Sequence, residues 1–94
     1  MDGAFAPQPI DDSAIRAAES VRQGVEHELG HPVSVYEVLE AHSQVVAGTN
    51  YKLKVRVSDT ECVHLKVYVP LPHLRMLPRL DNFQAGHTVT SPLD

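Results

Sequence analysis

From Tyr51 to Val57 the chain alternates strictly: Tyr51, Leu53, Val55 and Val57 are apolar or aromatic, and Lys52, Lys54 and Arg56 between them are cationic. Side chains of a strand point to opposite faces with a period of two, so this segment is a half-buried strand with one wet face. Its dry face needs a covering layer, which limits the chain to architectures that stack something on one side of a sheet. After a turn at Ser58-Asp59-Thr60, Val63, Leu65, Val67 and Val69 repeat the pattern against Cys62, His64, Lys66 and Tyr68. Pro70 and Pro72 then break the run, and a weaker strand is expected from about Arg79 to Ala85. Upstream, Val33 to Val46 is β-rich, but its apolar phase changes between Tyr36-Val38 and Leu39-Ala41, which predicts a bulge or strong bend.

The covering layer is the only helical pattern in the chain. Ile15, Ala18, Val21, Val25 and Leu29 recur at spacings of three and four, which predicts one helix over 13–29. Asp12 and Ser13 suit its N-cap, and Gly30 followed by Pro32 suits its stop. Gly24 weakens the interior by about 1 kcal/mol relative to Ala, so packing must hold the helix. The expected fold is α+β: an antiparallel sheet of about five strands wrapped around one long N-terminal α-helix. It makes a single domain over 1–94, with an extended arm at 1–11, sheet over 33–85 and a loose tail at 86–94. Pro7 and Pro9 keep the arm out of helix.

Net charge is −4 with both signs interspersed, which gives no basic patch for nucleic acid or anionic membrane. No apolar run reaches membrane-spanning length, and the first residues show no signal-peptide pattern. Cys62 is the only cysteine, so an intrachain disulfide cannot form and a cytoplasmic setting is expected. Glu61-Cys62-Val63-His64 fits no nucleophile motif, and Cys62 reads as a plain strand thiol.

The functional signal lies between the first two strong strands, at Gln44-Val45-Val46-Ala47-Gly48. A hairpin tip that only turns the chain favours Asn-Gly or Asp-Gly, whereas this one carries Val, Val and Ala, and apolar side chains at a tip imply something they touch. The string resembles the Gln-x-Val-x-Gly signature of the stefins, within the cystatin superfamily. The resemblance continues through Tyr51–Arg56, His64-Leu65-Lys66-Val67-Tyr68, Leu71-Pro72 and Asn82-Phe83-Gln84, and it is specific from about Tyr36 to Ala85. It implies a reversible, tight-binding inhibitor of papain-like, cathepsin-type cysteine proteases, with no catalytic residue and no cofactor. In that family three segments form a wedge that enters the protease cleft. The matching positions are Gly3 in the arm, Gln44, Val45, Val46, Ala47 and Gly48 in the first hairpin, and Leu71, Pro72 and His73 in the second loop. The chain departs from the pattern at Asp2, where a small or apolar residue is usual, and in the apolar Leu74, Met76 and Leu77 beyond the second loop. A monomer is expected, with a domain-swapped dimer open to it through the first hairpin.

Two other readings compete. His27-Glu28-Leu29-Gly30-His31 matches His-Glu-x-x-His, in which two histidines share a helical face around zinc and Glu serves as general base. Gly30 and Pro32 end the helix inside that motif, which argues against a zinc-dependent peptidase. The third reading is an interaction scaffold of the same fold without inhibitory affinity. His42, His64, His73 and His87 are expected at the surface.

Overall fold

A computed structural model describes residues 4–93; Gly3, and with it the arm's proposed contact, lies outside the described residues. Five strands form one sheet in chain order, every neighbouring pair antiparallel: β1 (Ala6–Gln8), β2 (Glu37–Val46), β3 (Gly48–Arg56), β4 (Cys62–Val69) and β5 (Arg79–His87). The phase change foreseen in β2 is a register shift between Val38 and Glu40. The bulge rotates the strand so that Ala41 faces the core beyond it.

The helical layer differs from expectation in being two helices, α1 (Asp12–Ser20) and α2 (Arg22–Leu29), joined at Val21 with φ −111° and ψ 11°. Hydrogen bonds explain the break. The Ser20 hydroxyl donates to the Ala17 carbonyl at 2.7 Å, and the Tyr36 hydroxyl to the Ala18 carbonyl at 2.7 Å. Val21 N–H falls to Ala18 at 3.3 Å, a tightened turn that ends α1 before α2 begins. The N-cap is Asp11 rather than Asp12 or Ser13, its carboxylate accepting from Ala14 N–H at 3.0 Å. Gly30, at φ 85°, ends α2 as the sequence indicates.

The buried face of the helices is Ala14, Ala17, Ala18, Val21 and Val25, while Ile15 is 47% exposed. Three alanines let α1 approach the sheet closely, against Tyr51, Leu53, Val55, Val63, Leu65 and Val67.

The sheet's other face is not uniformly wet. Lys54, placed by alternation on the solvent side, is 2% exposed because the chain after β5 folds over it. Its ammonium donates to the carbonyls of Thr88 (3.1 Å), Val89 (2.7 Å) and Ser91, which satisfies all three donors. Thr88 and Ser91 close that turn on themselves, Thr88 N–H donating to Ser91 Oγ at 2.9 Å. The expected loose tail is thus a strap across 88–91. Beneath and beside it Cys62 and His64 are buried, and the His64 and His87 rings stack at 3.6 Å, so His64 is not the surface residue its alternation suggested.

Candidate functional site

The β2–β3 hairpin turns within one residue. Val45 pairs with Thr49 and Val46 with Gly48, leaving Ala47 at the apex. The apex projects apolar side chains into solvent: Val45 is 78% exposed and Val46 is 40% exposed. Gln44 is turned to the opposite strand, its carboxamide oxygen accepting from Asn50 Nδ2 at 2.9 Å. Gly48 is required twice over. Its φ of +111° lies where L side chains rarely go, and a Cβ there would stand 2.6 Å from the Val69 carbonyl oxygen.

That close approach brings the second segment to the first. Thr49 is the cross-strand partner of Val69, so Pro70, Leu71 and Pro72 leave β4 beside the apex. Leu71 precedes a single 3-10 turn over Pro72–Leu74, and Arg75 closes it in the left-handed region at φ 54°. Pro72 fixes its own φ, and Arg75 N–H returns to the Pro72 carbonyl at 3.2 Å. Leu71, Pro72 and His73 are exposed. So are Leu74, Met76 and Leu77, the last at 87%.

β1 runs along the outer edge of β2 with Ala6 opposite Ser43, so the N-terminal arm enters beside the hairpin tip. Phe5 lies under the Lys52 ammonium, 4.3 Å from ring centre to nitrogen. The described start of the arm, the Val45–Gly48 apex and the Leu71–His73 turn therefore share one end of the sheet. Behind them, between α1 and the second loop, lies an open groove of about 690 Å³ lined in part by Arg16, Ser20, Tyr51 and Leu71.

Two features of this end escaped the sequence reading. The Tyr68 hydroxyl donates to the Ala47 carbonyl at the apex. Over the Tyr68 ring lies the Arg79 guanidinium, 5.1 Å from its centre, itself gripped by Asp81 through Nε to Oδ1 and Nη2 to Oδ2 at 3.2 Å. The hydrogen bond from Arg79 holds the Asp81 carboxyl below its ordinary range. Strand alternation places Tyr68 on the outer face; what was missing was that this face meets the hairpin apex.

The competing motif does not assemble. His27 lies in the last turn of α2, whereas His31 follows the left-handed Gly30 and turns its Nδ1 to the Pro32 carbonyl at 2.9 Å. The two rings therefore do not share a helical face, and among the described residues no three His, Cys, Asp or Glu converge as a metal site. Burial pushes the Cys62 thiol above its usual range, the opposite of an activated nucleophile. Among the described residues no helix is long and apolar enough to cross a membrane.

The family model of the cystatin domain matches residues 5–90, nearly the whole described fold. The chain belongs to the cystatin family. Among its relatives, cystatin-B of Pan troglodytes is 40% identical over 81 residues, covering 86% of this chain and 83% of the relative. Cystatin-B of Homo sapiens is 39% identical over the same span, and that of Bos taurus 34% identical over 84 residues. The cystatin fold accounts for the observed order of helices and antiparallel strands, and the lone Cys62 makes this a disulfide-free member.

Proposed function

We propose that this cystatin is a reversible, tight-binding inhibitor of papain-like, cathepsin-type cysteine proteases that acts by obstruction. Family membership supports cysteine protease inhibition. The observation that carries the mechanism is the solvent-facing apolar apex, Val45 and Val46, set beside the proline-stiffened turn at Leu71-Pro72-His73. Apolar side chains held in water by a rigid turn gain free energy when a cleft desolvates them, and little ordering entropy is lost in the process. Ala47 and Gly48 keep the apex narrow, and Gly3 would let the arm pass the cleft wall. A wedge that fills a cleft without laying a peptide bond along it in register blocks the nucleophile and is not cut. The exposed Leu74, Met76 and Leu77 extend the apolar rim of the second loop toward the same partner.

The complex in this reading is one inhibitor monomer to one protease, with no nucleic acid or membrane involved. A reducing cytoplasm suits its single buried thiol. Titration of papain and of a cathepsin with the protein, with and without chelator, tests it. Stoichiometric, reversible inhibition indifferent to chelator is expected. Peptidase activity of the protein itself, restored by zinc, would instead return His27, Glu28 and His31 to consideration, and absence of inhibition would favour the scaffold reading.

A further inference from the structure

We infer that Tyr68 is the positioning residue of the wedge, locking its two hairpin elements into one rigid body; this rests on the inhibitor reading above. Tyr68 stands on β4 two residues before Pro70, at the root of the second loop, and its hydroxyl donates to the carbonyl of Ala47 at the apex of the first. The next residue, Val69, presses its carbonyl against the Cα of Gly48 so closely that a Cβ there would lie 2.6 Å from the oxygen. One short stretch of β4 thus holds the apex by a hydrogen bond and by steric contact.

The lock has its own support. Arg79 is the cross-strand partner of Tyr68 on β5, lays its guanidinium over the ring at 5.1 Å, and is fixed there by Asp81 through two hydrogen bonds. Asp81, Arg79, Tyr68 and the Ala47 carbonyl form a single chain of contacts from the sheet edge to the tip. The hydroxyl is not needed to fill space, since Phe would occupy the same volume on this half-buried outer face. Its place in the molecule is the apex carbonyl. A one-residue turn with exposed valines has other conformations open to it. Each of them lowers the fraction of molecules ready to enter a cleft, and apparent affinity falls with that fraction.

Such a role has a kinetic signature. Loss of a direct contact speeds dissociation, whereas loss of preorganisation slows productive association. Stopped-flow association with papain, dissociation by displacement, and thermal melting are to be measured for the parent, Tyr68→Phe, Arg79→Leu and the double variant. Tyr68→Phe should associate about fivefold more slowly or worse, with dissociation and melting temperature nearly unchanged. Arg79→Leu should err in the same direction, and the double variant should be no worse than Tyr68→Phe alone, because the two residues act in series. Association of Tyr68→Phe within twofold of the parent would overturn the proposal. So would fully multiplicative effects in the double variant, or a large drop in melting temperature, which would assign the hydroxyl to the fold. Val46→Asp, measured alongside, separates the two levels: if it inhibits as the parent does, the wedge reading itself fails, whereas its loss with an unaffected Tyr68→Phe removes only the lock.

Discussion

Gly48 and Val46 sit two residues apart and answer different questions. Gly48 holds the shape: its positive φ and the Val69 oxygen leave no room for a side chain. Gly48→Ala therefore has to move backbone rather than a flexible side chain, with an expected cost of about 2 kcal/mol or more in stability, read as a lowered melting temperature, and weakened inhibition because the apex shifts. Val46 is placed to make the proposed contact. Val46→Asp should leave the melting temperature almost unchanged, since the residue is 40% exposed, yet cost about 2 kcal/mol or more of binding by placing a carboxylate in a desolvated interface. Inhibition constants and melting curves of the two variants separate these roles; a Val46→Asp protein that binds papain as tightly as the parent would remove the apex from the interface. The residues of the tip were legible in the sequence because their composition is wrong for an ordinary turn. Tyr68 was not, because nothing local in its strand says that a neighbouring hairpin curls onto it.

At the scale of elements, the strands were readable and the helix only partly so. Alternation reports the face of a strand directly, and it located β3, β4 and even the bulge in β2. In the helical segment the weight given to Ile15 misled, since the face that packs is built on Ala14, Ala17 and Ala18, whose short side chains give a weak apolar signal but a close approach. The break at Val21 depends in part on Tyr36, eighteen residues from its acceptor Ala18, and that part had no local signature. Lys54 misled in the other direction, for a lysine on the outer face normally means water. Its three carbonyl partners belong to the strap at 88–91. Lys54→Met removes the charge that gathers these carbonyls and should cost about 2 kcal/mol of stability, with the strap released to protease and to hydrogen exchange before the sheet melts. Equal protection of 88–91 in parent and variant would show that the strap holds without the ammonium. Alkali tests buried groups on both faces of the same sheet, Tyr36 packed against the core and Cys62 on the strap side. Burial raises the pKa of both Tyr36 and the Cys62 thiol above their ordinary values. Both groups stay protonated in the native state while the unfolded chain ionises, so the unfolded state binds fewer protons and stability falls as pH rises. The loss should begin near pH ~8.5 through Cys62 and continue above pH ~10 through Tyr36. Urea midpoints for the parent, Cys62→Ala and Tyr36→Phe across that range check it: each variant should flatten its own part of the decline.

For the whole molecule, the narrowest connection in the fold is also the tip proposed to enter the protease. Everything before Ala47, namely β1, both helices and β2, is joined to β3, β4 and β5 through one apex residue. If Val46, Ala47 and Gly48 extend instead of turning, β2 and β3 become one continuous strand, and the N-terminal half of each chain can pack on the C-terminal half of another. The swapped dimer keeps the same core and strand registers, so its free energy differs from that of two monomers only at the hinge and in the entropy of association. Opening forfeits the Tyr68–Ala47 hydrogen bond and little else, because the positive φ at Gly48 costs glycine almost nothing, so the difference at the hinge is small. Concentration then decides the balance, and the barrier is that of unfolding, because the halves must separate before they exchange. Incubation at high concentration just below the melting temperature, followed by size-exclusion chromatography, should yield a dimer that persists on cooling. Because its apex has been consumed in the long strand, that dimer should not inhibit papain, and reheating it at low concentration should return active monomer. Tyr68→Phe, which loses the bond favouring the closed hairpin, should form more of it under the same conditions. A dimer that inhibits as well as the monomer would mean that Val45–Gly48 is not the part that enters the cleft, and a chain that stays monomeric throughout would mean that the closed hairpin is favoured by more than its single hydrogen bond to Tyr68.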